Sequence, residues 1–350
     1  MNNKALRCDI FCAVVDNYGD AAVCWRLACQ LATEHGWQVR LWIDDLAPLR
    51  QLAPDFAAGP VAVHPWPTPW LGADPADVVI EAFACEPPPG YVTAMASRAR
   101  APVWLNLEYL SAEAWVAASH GLPSPHPRLP LLKHFYFPGF AAGSGGLLRE
   151  RDYDARRASF DEAAFRAEFA VPPRLPGELC ISLFSYPNPA LPELIEAWSR
   201  WAAPQRPVRV LRPGSSEAAR SIGCLTLQPL PFLPQRRYDE LLWTCDLNFV
   251  RGEDSFVRAQ WAARPFVWQI YPQAEGAHLV KLEAFLALHP ASASLQPFWR
   301  AWNGIGRLDW PAFAPALPGL EAPSREWAET LAGHPDLASG LVKFCLERLK

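Results

Sequence analysis

Residues 9–28 read D-I-F-C-A-V-V-D-N-Y-G-D-A-A-V-C-W-R-L-A. The apolar run 10–15 has the length and β-branched content of a buried strand, and the polar turn Asp16-Asn17-Tyr18-Gly19-Asp20 closes it. Val23, Leu27 and Leu31, with Cys24 and Ala28 beside them, then recur at helical spacing until Gly36. A buried strand running straight into an amphipathic helix is one half of a βαβ unit. Further strands follow at 39–43, 61–63, 78–83 and 103–107, which predicts a doubly wound parallel sheet.

The same grammar returns after residues 139–154, a stretch rich in glycine and charge that marks the domain junction. Strands are expected at 179–184, 208–211, 225–227, 247–250 and 265–271, with helices between them. From 324 to 349 the chain reads as one or two helices broken around Gly333–Pro335. The expected division is therefore an α/β domain over 1–152, a second over 153–325, and a helical tail over 326–350 that packs back toward the first.

Composition narrows the class. The chain has 350 residues, 51% hydrophobic, 12% aromatic and 19% charged, too apolar and too weakly charged for disorder. No apolar run approaches the roughly 20 residues of a membrane span, and the run 10–15 is shorter than the about 7 a secretory core requires. Nine cysteines, an odd number with no C-x-x-C pair, suit small buried thiols in a reducing cytoplasm. The net charge of −4 argues against a nucleic-acid surface. All the excess acid lies in residues 1–150, with 10 Lys/Arg against 14 Asp/Glu, whereas the remainder holds 22 of each. A basic partner would suit the first half.

Ligands of open parallel sheets sit at the carboxyl ends of strands, which directs attention to two loops. In the first, Asp20 either caps the helix that begins at Ala21 or presents a carboxylate at the mouth of the sheet. Asp16, a second acid in the same turn, has no capping duty. The second loop, R-G-E-D-S-F-V-R-A-Q-W at 251–261, turns at Gly252 into a helix with Asp254 or Ser255 as N-cap. Its free N–H groups form an anion cradle to which Arg251 or Arg258 adds charge, or else it is a capped helix with a solvated Glu–Arg pair.

Other chemistries lack their motifs. There is no G-x-x-x-x-G-K-[ST], no G-x-G-x-x-G after a strand and no G-x-S-x-G elbow. The eight histidines are dispersed without zinc-ligand spacing, so no metal site is expected. Asp152-Tyr153-Asp154 has a D-x-D spacing but reads as a solvated linker among arginines. The sixteen tryptophans read mainly as core rather than carbohydrate platforms.

These loops, together with L-N-L-E-Y-L-S-A-E at 105–113, S-G-G-L-L-R-E-R-D-Y at 144–153 and F-V-W-Q-I-Y-P-Q at 266–273, resemble the EarP family of bacterial protein-arginine rhamnosyltransferases, which modify translation elongation factor P. The resemblance runs from about residue 8 to 290. It implies a GT-B glycosyltransferase with two facing Rossmann-like domains and parallel sheets. The donor would be dTDP-β-L-rhamnose, transferred with inversion and without a metal or other cofactor. It implies Asp20 as the catalytic base with Asp16 beside it, and Glu253 as a third catalytic residue. Donor contacts fall on Phe184, Tyr186, Phe232, Gln235, Arg251, Asp254, Ser255 and Tyr271. Asn17, Tyr18, Gly19 and Glu108 lie on the acceptor side. The alternatives are a GT-B transferase with a small-molecule acceptor and a non-enzymatic nucleotide-sugar-binding adaptor.

Overall fold

A computed structural model of the chain describes residues 5–16, 18–66, 70, 72 and 74–349. Asn17 lies outside the described residues. The chain divides into two compact units, one formed by Met1–Arg151 and Ala332–Lys350, the other by Asp152–Leu331. The first sequence-expected boundary thus moves by one residue. The tail begins at 332, not 326, because the helix Leu317–Ala332 continues through Pro323 and its Trp327 Nε1 donates to Gln260 Oε1 at 2.6 Å in the second unit.

The first unit is built on β1 (Arg7–Cys12), β2 (Gln38–Ile43), β3 (Ala62–Pro65), β4 (Val78–Ala82), β5 (Val103–Leu107), β6 (Pro123–Pro125) and β7 (Leu132–Tyr136). Among the described residues they form one sheet in the order β3-β2-β1-β4-β5-β7-β6, parallel except for the β6–β7 pair. The sequence pattern did not reveal β6 and β7. Two prolines in three residues mask a strand, and β6 tolerates them because it is an edge that needs few N–H donors.

The first strand stops at Cys12, three residues earlier than its apolar run suggests. Asp44 Oδ1 captures the Val14 N–H at 2.9 Å and Asp20 Oδ2 captures the Val15 N–H at 2.8 Å, so carboxylates replace the ladder. Val15 is left 68% exposed. Helix α1 (Gly19–His35) follows and ends where Gly36 takes φ 68° and donates to Leu31 O, a conformation glycine adopts without steric cost. Within the sheet, buried Asp9 accepts from Arg40 through two bonds of 2.6 Å, from Trp42 Nε1 at 3.2 Å and from the Tyr91 hydroxyl at 2.5 Å. A buried carboxylate persists only when its lone pairs are filled in this way.

At the back of α1, Gln30 Nε2 donates to Arg149 O at 2.8 Å and to Asp336 Oδ1 at 2.9 Å. The same Asp336 oxygen caps the helix Leu337–Arg348 by accepting the Ser339 N–H at 3.0 Å. The tail is thereby tied to the helix that carries Asp20.

The second unit contains β8 (Leu179–Leu183), β9 (Val208–Pro213), β10 (Arg220–Ile222), β11 (Leu225–Leu230), β12 (Leu247–Arg251) and β13 (Phe266–Gln269). Their order is β10-β11-β9-β8-β12-β13, and only β10, which the sequence reading missed, runs antiparallel. Asp152–Asp154 is not a solvated linker. Tyr153 is 1% exposed and accepts Trp243 Nε1 at 2.7 Å, while Asp152 pairs with Arg156 at 3.1 Å. Among the described residues no helix is long and apolar enough to cross a membrane.

Candidate active site

Both sheets reverse their winding beside their first strand, between β1 and β4 in one unit and between β8 and β12 in the other. Loops diverge at such switch points and leave a crevice at the carboxyl ends of the strands.

In the first unit Asp20 and Asp16 occupy that position, 2% and 8% exposed. Asp20 lies within the first turn of α1 but does not cap it. The N-cap position belongs to Tyr18, without a side-chain cap bond. Asp20 Oδ2 instead reaches backward to the N–H groups of Val15 and Asp16, each at 2.8 Å, and the Tyr109 side chain adds a further downward pull on its pKa. Burial pushes its pKa above the usual carboxylate range, and these hydrogen bonds oppose the shift without cancelling it. Nearby Asp44 adds a smaller upward push.

Gly19 makes a close approach. A β-carbon there would stand 2.5 Å from Asp16 Oδ2, and its N–H donates to Asp16 O at 2.6 Å. The Tyr18 hydroxyl donates to Gln51 Oε1 at 3.1 Å. Glu108, just beyond β5, accepts Asn106 Nδ2 at 2.6 Å. Tyr109 and the turn at Phe83–Ala84 beyond β4 are additions that sequence reasoning did not make. Tyr109 follows Glu108 at a strand end, and that position was the available signal.

In the second unit Phe184 and Tyr186 follow β8, Phe232 and Gln235 follow β11, Arg251 to Ser255 straddle the end of β12, and Tyr271 follows β13. All eight predicted donor contacts and Glu253 therefore lie on one edge of the sheet. The Arg251 guanidinium stands 4.2 Å from the Phe184 ring centroid and 4.6 Å from that of Tyr186, and Nη1 donates to Ser185 O at 3.2 Å. Tyr186 meets Tyr271 edge-on at 5.5 Å. Gln235 opens the helix Gln235–Thr244, and Phe232 packs beside Gly214 at the end of β9.

Gly252 takes φ 59°, turning the chain into the helix Asp254–Ala262. Its N-cap is Glu253, with no side-chain cap bond, rather than Asp254 or Ser255. Ser255 is committed to Arg251: its hydroxyl accepts the Arg251 N–H at 2.9 Å and donates to the Arg251 carbonyl. This serine braces the strand end instead of sealing the helix. Arg258 adds no charge to the loop. It is fully buried and pairs with Asp239 through bonds of 2.8 and 2.7 Å.

Two Rossmann-like units with polar strand-end loops, one acidic and the other lined by aromatics, an arginine and an uncapped helix start, define a glycosyltransferase of the GT-B class. Residues 8–346 match the family described as "Elongation-Factor P (EF-P) rhamnosyltransferase EarP", and the chain belongs to that family. It is 48% identical to the protein-arginine rhamnosyltransferase of Pseudomonas putida, over 96% of this chain and 97% of that protein. Identity to the enzyme of the same name from Neisseria meningitidis is 40%, over the whole of both chains. A solved structure described as the "structural basis for EarP-mediated arginine glycosylation of translation elongation factor EF-P" matches with a TM-score of 0.69 and 36% identity, over 98% of this chain and 99% of that one. The glycosyltransferase SnogD from Streptomyces nogalater shares the fold at a TM-score of 0.55 and 12% identity, over 99% of this chain and 100% of that one.

Proposed function

We propose that this chain transfers rhamnose from dTDP-β-L-rhamnose to an arginine side chain of translation elongation factor P, with inversion and without a metal ion. The observation that carries this reading is the buried Asp20 carboxyl, which burial makes a stronger base than an ordinary aspartate.

An acceptor guanidinium has a pKa above about 12, and no carboxylate deprotonates it in the ground state. Its nitrogen becomes acidic only as it attacks the sugar. The N–C1 bond forms as the bond from C1 to the diphosphate oxygen breaks; Asp20 takes the proton, and dTDP leaves with the electron pair. Asp16 grips a second guanidinium nitrogen and fixes the line of attack. The acidic strand ends at Asp16, Asp20, Asp44 and Glu108 suit a cationic acceptor.

The donor's diphosphate needs positive potential, bound and leaving alike. The uncapped start of the helix Asp254–Ala262 and the Arg251 guanidinium supply it, in place of magnesium. Phe184, Tyr186 and Phe232 offer faces for the nucleotide, and Glu253 contacts the sugar beside the reacting carbon. The reaction belongs in the cytoplasm, with elongation factor P as the protein partner.

Mass spectrometry of elongation factor P incubated with the protein and dTDP-β-L-rhamnose tests the reading. One added deoxyhexose on an arginine is expected, with loss of the nucleotide diphosphate. Tight binding of both substrates without transfer leaves only an adaptor.

A further inference from the structure

Beyond β2 the chain reaches across to the loop that bears Asp16. Asp44, the first residue after that strand, extends the β1–β2 ladder by one bond, its N–H donating to Cys12 O at 3.3 Å. Its carboxylate then takes over from the ladder. Oδ1 accepts the Val14 N–H and the Asp45 N–H, each at 2.9 Å. The next two N–H groups, of Val15 and Asp16, both donate to Asp20 Oδ2 at 2.8 Å. Three consecutive backbone donors are thus divided between two carboxylates, one from the end of β2 and one from α1. The same segment holds the loop again beyond Asp16. Asp45 Oδ1 accepts the Ala47 N–H at 2.8 Å, at the start of a helix (Ala47–Leu52) anchored by buried Pro48, Leu49 and Leu52. Gln51 of that helix accepts the Tyr18 hydroxyl at 3.1 Å.

We infer that Asp44 is a positioning residue for the Asp20 base: it fixes Val14, and through Val14 the two N–H groups that aim the Asp20 carboxylate. The inference rests on the proposed role of Asp20 and extends it. Only the two dihedrals of Val14 lie between its pinned N–H and the N–H of Val15, because the peptide joining them is planar. Val15 is 68% exposed, so its side chain does not pack this stretch in place. Hydrogen bonds must do so, and a bond to an ionised acceptor is roughly twice as strong as a neutral one. Starting the following helix does not require Asp44, since Asp45 already accepts the Ala47 N–H.

The test compares Asp44→Ala with Asp44→Asn in the full chain. Alanine deletes the acceptor. Asparagine keeps a carbonyl oxygen where Oδ1 stands and removes only the charge. The first readout is amide hydrogen exchange by NMR. Val14 loses its own partner in Asp44→Ala, so the decisive amides are Val15 and Asp16, whose acceptor is untouched. Their exchange is expected to speed up about 10-fold, the worth of one hydrogen bond, and to return to wild-type rates in Asp44→Asn. The second readout is transfer to elongation factor P. The kcat should fall about 10-fold or more in Asp44→Ala, as for a misplaced catalytic group. The KM for dTDP-β-L-rhamnose should not move, and Asp44→Asn should regain most of the lost kcat. Asp44→Glu, which keeps the charge but carries it one methylene farther, should resemble Asp44→Ala in both readouts and replaces it if the alanine variant does not fold. Wild-type exchange at Val15 and Asp16 in Asp44→Ala overturns the inference. So does an Asp44→Asn as impaired as Asp44→Ala, because the charge and not the bond would then matter. Exchange does not depend on turnover. If the wild-type chain transfers nothing to elongation factor P, the functional reading fails while the coupling of Asp44 to the Asp20 donors is still decided.

Discussion

The backbone N–H of Asp16 stands 2.8 Å from Oδ2 of Asp20, so the loop that carries one acid of the pair solvates the other. The two carboxylates therefore do not compete for one role. Asp20 is oriented by the chain that precedes it, and Asp16 is oriented by the close approach of Gly19.

Asp20→Asn tests the base. The amide keeps a carbonyl oxygen to accept the Val15 and Asp16 N–H groups, so the loop should hold its shape. Without a proton acceptor, turnover is expected to fall by about 10²–10⁴-fold, the usual worth of general-base catalysis. Single-turnover rhamnosylation of elongation factor P measures it, and near-normal rates would remove Asp20 from the role.

The same carboxyl links pH to both activity and stability. Its proton affinity is raised in the fold, chiefly by burial, so kcat/KM should decline on the acid side at a pH above the ordinary aspartate value near 3.9. The sign for stability is opposite. The folded state binds this proton more tightly than the unfolded chain, so the contribution is fully present below the unfolded pKa and is lost as pH rises through the folded one. At neutral pH Asp20→Asn should then melt at a higher temperature than wild type while being slower, a pairing that calorimetry and kinetics can check on one sample. A lower melting temperature would contradict it.

Gly19→Ala separates chemistry from folding at the neighbouring position. The added β-carbon would lie 2.5 Å from Asp16 Oδ2, the far end of a side chain rather than backbone. Asp16 must rotate aside to make room, while alanine at this first helical position brings only a small gain in helix propensity. Thermal stability is expected to change little. Turnover should drop about 10-fold or more, because a displaced orienting group spoils the line of attack. Unchanged kinetics would show that Asp16 does not need its present position.

The strand-end loops were legible because they depend on local patterns. The apolar run before Asp16 and the glycine turn after Val250 declare a strand, a turn and a helix within a dozen residues. Phe184, Tyr186 and Tyr271 were reached through the resemblance, and the expected strands 179–184 and 265–271 overran their ends at Leu183 and Gln269. What stayed hidden depends on partners far along the chain. Asp20 resembles a helix cap by position, and only folding reveals that its carboxyl turns back to Val15. Arg258 resembles a solvated charge until Asp239, 19 residues away, encloses it. The left-handed turn at Phe83 leaves no mark in the sequence because no glycine announces it, and β6 is disguised by its own prolines.

The Arg258–Asp239 pair gives a stability prediction free of catalysis. Both side chains are fully buried, and Arg156 adds a weaker contact to Asp239 at 3.3 Å. Asp239→Asn takes the carboxylate from buried Arg258 and should cost about 3–5 kcal/mol in urea unfolding, whereas Arg258→Met leaves Asp239 the weaker Arg156 contact and should cost less. The double variant should recover part of that loss, since no charge of the pair is then left behind. Additive losses in the double variant would mean the two residues act separately.

Arg251→Lys probes how the second unit holds its donor. The arginine serves several partners at once: it lies over the Phe184 and Tyr186 rings at 4.2 and 4.6 Å and donates to Ser185 O at 3.2 Å. A planar guanidinium can rest on a ring face while its edge keeps donors for a diphosphate, whereas an ammonium is a strongly hydrated point charge that does neither well. Charge is conserved in the variant, so a purely electrostatic role predicts almost no change. If planarity matters, Phe184 and Tyr186 lose the group that fixes their rings, and the KM for dTDP-β-L-rhamnose should rise about 10-fold, the worth of one lost charge-assisted bond. The kcat at saturating donor should fall much less, because a guanidinium in the proposed role meets the diphosphate before and during transfer alike and so contributes mainly uniform binding. A drop confined to kcat would instead place the guanidinium on charge that develops only as the sugar departs.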